Sequence, residues 1–136
     1  MKEIAAHLRC MQLMAHAAHN VVSGPLFFSD HSFLGELYSQ YETEYDDVVE
    51  RIIGIGMLPI EELVHIQEIA VAKMKSFALS QKENKMFFLI LLDMEKTLCA
   101  MIQQPVDGRS EGTKQLLGNI ADLSEQRQYK LKQRTK

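Results

Sequence analysis

Apolar residues recur along almost the whole chain in alternating steps of four and three. From residue 27 to residue 55 the series Phe27, His31, Leu34, Tyr38, Tyr41, Tyr45, Val48, Ile52, Ile55 keeps that rhythm without a slip. Nine residues so spaced lie on one face of a single long α-helix. An earlier series, Ile4, Leu8, Met11, Ala15, Ala18, Val22, predicts a helix over about Lys2 to Val22. The only prolines, Pro25, Pro59 and Pro105, fall between such series and act as punctuation. Ser23-Gly24-Pro25 ends the first helix and opens the second, with Pro25 expected in its first turn, where a missing N–H costs nothing. Gly54, Gly56 and Pro59 end the second. Leu63, Ile66, Ala70, Met74 and Phe77 predict a shorter helix or pair of turns over 60–80, followed by a polar break from Ser80 to Asn84. A third long helix is expected over about Glu83 to Gln103, burying Phe87, Leu91, Met94, Leu98 and Met101. A fourth is expected from about Ser110 into the C-terminal end, with Leu116, Ile120 and Leu123 inward. No alternating run bounded by turns suggests a strand. The fold expected is therefore all-α: a four-helix bundle with a short extra helix between the second and third long helices.

With 136 residues, 46% of them hydrophobic, one domain can bury a sufficient core without disulfides or a structural metal. Cys10 and Cys99 sit in apolar helical patterns and are expected as buried free thiols, which fits a reducing cytoplasm. Met1-Lys2-Glu3 leads straight into a mixed helix, so no signal peptide is expected. The longest apolar run, Met86 to Leu92, is too short to span a bilayer. A cytoplasmic protein without membrane contact is expected. Charge is uneven: residues 1–126, read as the bundle, carry net −8, and residues 127–136 carry net +5. That basic end (Arg127, Lys130, Lys132, Arg134, Lys136) is a candidate contact for DNA phosphates. It is equally what a helix C-terminus favours.

The chemistry-bearing residues are His19, His31, Asp46 and Glu50. Two imidazoles and two carboxylates form a mixed N/O ligand set of the kind iron accepts. His19 lies just before the first turn and His31 just after it, so an antiparallel hairpin can bring them together. Asp46 and Glu50 form an i, i+4 carboxylate pair; like charges so spaced repel, and a cation between them would remove that cost. In a continuous helix His31 and Asp46 stand about 22 Å apart along the axis. They cannot share one ion within one chain. A common site needs a second copy, and Tyr45 and Val49 beside the carboxylates suggest a second buried surface there, supplied by a dimer contact. His16 with His19, and Glu62 with His65, are weaker spacings of the same kind, and His7 reads as exposed or interfacial. No Gly-x-Gly-x-x-Gly, P-loop, Cys-x-x-Cys or nucleophile elbow occurs, which removes support for a nucleotide enzyme or a hydrolase.

The segment His19-Asn20-Val21-Val22-Ser23-Gly24-Pro25-Leu26-Phe27-Phe28-Ser29-Asp30-His31 resembles the start of the site in the Dps family, the mini-ferritins. That family reads His, Trp, two or three residues, Gly, a Phe-Phe pair and a second His. Leu37-Tyr38 and Asp46-Asp47-Val48-Val49-Glu50-Arg51-Ile52 resemble its Leu-Tyr and Asp-x-x-x-Glu-Arg block, with matching gaps. Glu111-Gly112-Thr113 and Leu117 resemble the start of its last helix. The resemblance is specific from about His16 to Pro59 and implies a ferritin-like bundle assembled into a homo-oligomeric, usually dodecameric, cage. It implies a ferroxidase that oxidises Fe(II) with peroxide or dioxygen at a dimer interface and stores ferric iron. His19 and His31 of one subunit would face Asp46 and Glu50 of its neighbour, with iron between them. Three departures stand out. A family carboxylate four residues after the second histidine is Gly35 here, with Glu36 one step round the helix. The family tryptophan is Asn20, leaving Tyr38, Tyr41 and Tyr45 as the aromatics able to absorb radical equivalents. The long basic N-terminal arm of some members is missing. The alternative expectation is a Dps-like DNA-binding or scaffold cage whose ferroxidase centre is incomplete.

Overall fold

A computed structural model describes residues 1–81 and 83–136. It contains five α-helices: α1 (Lys2–Val21), α2 (Phe27–Ile55), α3 (Ile60–Lys75), α4 (Asn84–Gln103) and α5 (Glu111–Arg134), with a 3₁₀ turn at Leu79–Gln81 between α3 and α4. No strand occurs among the described residues. The polar break expected over Ser80–Asn84 includes Lys82, which lies outside them.

The architecture is a ferritin-like helical bundle. Antiparallel α1 and α2 form one hairpin and α4 and α5 a second; α1 packs on α4, and α3 lies across α1 as part of the long crossover from α2 to α4. Both hairpins turn through a glycine in the left-handed region, Gly24 (φ +89°) and Gly108 (φ +84°), where a side chain would clash with its own backbone. Pro25 falls in the turn before α2, whose first residue is Phe27. That corrects the first-turn position expected for it: the reversal at Gly24 takes up the next two residues.

The α1 stripe is buried throughout, and α4 buries Phe87, Leu91, Met94 and Leu98 as its periodicity requires. On α2 the stripe holds from Leu34 to Val48 and runs out at Ile55, which is 65% exposed. The α5 stripe is displaced. Leu123 is exposed, and the buried series is Thr113, Leu117, Ile120, Ser124, Arg127, Leu131. The four-three rhythm is intact, but two of its members are polar and one is an arginine.

Those polar members join α5 to α2, whose backbones scarcely approach. Arg127 donates through Nη1 to Glu44 Oε1 at 2.7 Å and through Nε to Glu95 Oε1 at 2.6 Å. Ser124 and Tyr41 donate to Glu95 as well. Burial opposes the Arg127 charge, yet Glu95 and Glu44 outweigh it and hold the guanidinium above its ordinary pKa. Burial also pushes Glu44 up, against the pull of Arg127.

Candidate metal centre

The turn at residues 22–26 brings the last turn of α1 onto the first turns of α2, and two histidines meet there. The His19 and His31 rings stack with centroids 3.6 Å apart and planes inclined by 22°. Each ring bonds the other's backbone: His19 Nδ1 lies 2.7 Å from the His31 carbonyl oxygen, and His31 Nδ1 lies 2.9 Å from that of His19. A carbonyl only accepts, so both Nδ1 atoms carry hydrogen. In the neutral rings the lone pair is then on Nε2. Metal-binding histidines are held in this way, one ring nitrogen donating to the protein and the other left for the ion. A lone pair lies in its own ring plane, so two nearly parallel rings do not converge on one ion. The stack suits two neighbouring ions, or one ion and a bound water. Phe27 stacks on His31 at 4.9 Å, Tyr38 meets His19 edge-on at 5.2 Å, and His16 stacks on Tyr38 at 4.2 Å.

Gly35 belongs to this packing. A Cβ at position 35 would stand 3.3 Å from His19 Cε1 and 3.4 Å from its Nδ1. The bare backbone of α2 is what the His19 ring lies against, so Gly35 leaves room there for a histidine. Glu36, the nearest substitute, is exposed.

Asp46 and Glu50, some four turns further along α2, are exposed and without a hydrogen-bond or ion-pair partner among the described residues. Arg51 makes no ion pair with them, and its Nη1 lies 3.4 Å from Thr113 Oγ1 on α5. No group of three or more His, Cys, Asp or Glu able to hold a metal forms within the chain among the described residues. The second buried surface inferred from Tyr45 and Val49 has another origin. Tyr45 is covered within its own subunit, by the Arg9 guanidinium 3.7 Å above its ring and by Gln67, which donates to its hydroxyl at 2.6 Å.

The remaining candidates separate clearly. Glu62 pairs with Lys2 across α1 and α3, and His65 with Glu68 on the surface. His7, expected exposed or interfacial, is 2% exposed. Its Nε2–H donates to the Met94 carbonyl at 2.8 Å, and its Nδ1 accepts from the Lys73 ammonium at 2.7 Å. Burial, opposed by the Met94 bond and aided by the Lys73 charge, lowers its pKa to about 4. Both nitrogens are occupied, so it is no ligand. Cys10 and Cys99 are buried free thiols, and burial raises Cys10 to about 11.

The basic end also needs correction. Arg127 is 3% exposed and committed to Glu44 and Glu95. Arg134 makes a two-pronged pair with Asp30, both bonds 2.8 Å. Asp30 holds the Arg134 pKa above its ordinary value, chiefly through that hydrogen bonding. Lys130, Lys132 and Lys136 are the cations of this segment that remain exposed. The sequence reading missed Glu44, Glu95 and Asp30 as buried charges. The available signal was that Ser124, Arg127 and Leu131 continue the α5 rhythm.

The chain also resembles curated proteins over part of its length. It is 32% identical over 83 residues to DNA protection during starvation protein 2 of Bacillus anthracis, covering 61% of this chain and 56% of that protein. It is also 32% identical over 63 residues to the DNA protection during starvation proteins of Listeria innocua and Listeria monocytogenes, covering 46% of this chain and 40% of theirs. The chain is a homologue of the Dps proteins. It spans about half the length of the curated relatives it matches. No protein-family model matches it, and no solved structure does. Like the bundle itself, the Dps homology concerns the scaffold. No helix among the described residues is long and apolar enough to cross a membrane.

Proposed function

We propose that this Dps homologue is a ferroxidase whose site is completed by a second copy of the chain. Fe(II) is the substrate, bound by His19 and His31 of one subunit and by Asp46 and Glu50 of its neighbour. One observation carries the reading: the reciprocal Nδ1–carbonyl bonds, which hold both imidazoles in the tautomer a metal needs. The unpartnered carboxylates of α2, too far along the same helix to help their own histidines, supply the second half by two-fold symmetry.

The division of labour follows from ligand chemistry. Neutral imidazoles hold Fe(II), and anionic carboxylates favour the higher charge of Fe(III), so the set lowers the potential of the bound ion and promotes electron loss to peroxide or dioxygen. Without a carboxylate at position 35 the set has one anionic ligand fewer than the family pattern, which fits one firmly held ion on one ring, with a bound water on the other, better than two ions. Ferric product passes into the interior of a homo-oligomeric cage, so iron and oxidant are consumed together and oxidative damage is limited. The competing reading, a DNA-binding or scaffold cage, draws on Gly35 but loses two of the five cations expected to hold DNA.

The test is anaerobic Fe(II) addition followed by peroxide, recording ferric absorbance for the wild type and for His31→Ala. Oxidation faster than that of free iron, abolished by the substitution, is expected. Equal rates for wild type, variant and free iron would remove the ferroxidase reading.

A further inference from the structure

The first turn of α2 carries His31 and is poorly held by its own helix. Leu26 occupies the N-cap position and supplies no side-chain cap; the Phe27 N–H donates to the Gly24 carbonyl at 3.0 Å, but the next N–H groups lack the side-chain partner that usually prevents fraying. Apolar packing there rests on Phe27 alone, half-buried against the core, since Leu26 is 50% exposed and Phe28 is 85% exposed. Two polar ties hold the turn, one on each side. On the α1 side is the reciprocal bonding of His19 and His31. On the α5 side is Asp30, whose side chain is 2% exposed and receives both prongs of the Arg134 guanidinium. Arg134 is fixed in turn by the Phe88 ring, 4.6 Å beneath its Cζ. The pair joins positions 104 residues apart.

From this arrangement we propose that Arg134 and Asp30 form a latch that positions the histidine pair. The proposal rests on reading His19 and His31 as ligands. Asp30 and His31 are successive residues, so holding the Asp30 carboxylate from α5 fixes the His31 carbonyl, and that carbonyl sets the His19 tautomer. Released from Arg134, Asp30 is a buried carboxylate without a cation. The turn relieves this by carrying Asp30 toward water, and it takes the His31 backbone with it. The end of α5 thereby becomes a control on the metal site: whatever removes Arg134, a proteolytic cut or a polyanion competing for its guanidinium, loosens the histidines.

Arg134→Met keeps the stem over Phe88 and removes the fork; Arg134→Lys keeps the charge. Two readouts are taken on the whole protein: histidine-ring tautomers by long-range ¹H–¹⁵N NMR, and Co²⁺ affinity by absorbance with the metal alone. The wild type is expected to show Nδ1–H for both rings. Arg134→Met is expected to show mixed tautomers and Co²⁺ affinity lowered by about tenfold or more, the usual consequence of losing a ligand's support. Arg134→Lys should recover part of both. Leu131→Ala, which loosens the same helix end through packing alone, should leave the tautomers in place. If Arg134→Met does not fold, Asp30→Asn takes its role and should shift the same signals. Unchanged tautomers and Co²⁺ affinity in a folded variant overturn the latch. If the wild type binds no Co²⁺ while the tautomers still move in Arg134→Met, the latch stands and the ligand reading fails.

Discussion

Acidification should destabilise this protein through one buried residue. His7 is neutral in the fold because burial lowers its pKa to about 4, against about 6.5 in an unfolded chain. Its folded pKa is depressed, so the unfolded state binds the extra proton first. The stabilisation is complete above pH 6.5 and is lost as pH falls toward 4. The full span corresponds to about 3 kcal/mol, and about 2 kcal/mol of it disappears between pH 7 and pH 5. The structure supports so large an effect: protonated His7 would present Nδ1–H to the Lys73 ammonium that now donates to it, setting two positive groups 2.7 Å apart. His7→Gln can keep one donor and one acceptor without titrating. Urea unfolding of both proteins at pH 7 and pH 5, at equal chain concentration, isolates the residue from the other titrating groups. The wild type should lose about 2 kcal/mol more than the variant over that interval. Parallel losses would refute the buried neutral histidine.

Three further outcomes follow from the same structure. Arg127→Met should cost about 3–5 kcal/mol in urea unfolding, because Glu44 and Glu95 are left as buried carboxylates without a cation; a loss below 1 kcal/mol would show that the network is wet. Gly35→Asp, although it restores the family carboxylate, should lower stability by about 1–3 kcal/mol by overpacking against the His19 ring. It should also fail to raise the rate of iron oxidation in a stopped-flow assay. Any DNA binding by the end of α5 should vanish when Lys130, Lys132 and Lys136 are changed together to Ala; salt-sensitive retention in a gel-shift assay after that change would mean that Arg127 or Arg134 leaves its partner.

The helices were legible because each carries a three- and four-residue rhythm and three of the four breaks carry glycine or proline, the fourth, between α3 and α4, being marked by its polar run. Their faces were legible wherever the rhythm was written in apolar residues, as on α1 and α4. On α5 it passes through Ser124 and Arg127, and polarity made exposed Leu123 seem the better inward residue. Pairing partners far apart in sequence decide such cases: Glu95 lies 32 residues before Arg127, and Asp30 lies 104 before Arg134. The approach of His19 to His31 could be anticipated from a short antiparallel turn. The crossed hydrogen bonds could not, since they depend on ring rotation and on the space left by Gly35. Tyr45 misled for a related reason. An aromatic beside two carboxylates suggested an intermolecular surface, whereas Arg9 and Gln67 cover it from within.

The claim that matters most is that one subunit supplies imidazoles and another carboxylates. Complementation tests it directly. His19→Ala/His31→Ala chains and Asp46→Asn/Glu50→Gln chains are each prepared alone, then refolded together in equal amounts, and Fe(II) oxidation by peroxide is followed. Each variant alone should be inactive. Half of randomly formed two-fold pairs are mixed, and each mixed pair rebuilds one site of two, so the mixture should recover about a quarter of wild-type activity. A mixture as inactive as its components would contradict the shared site.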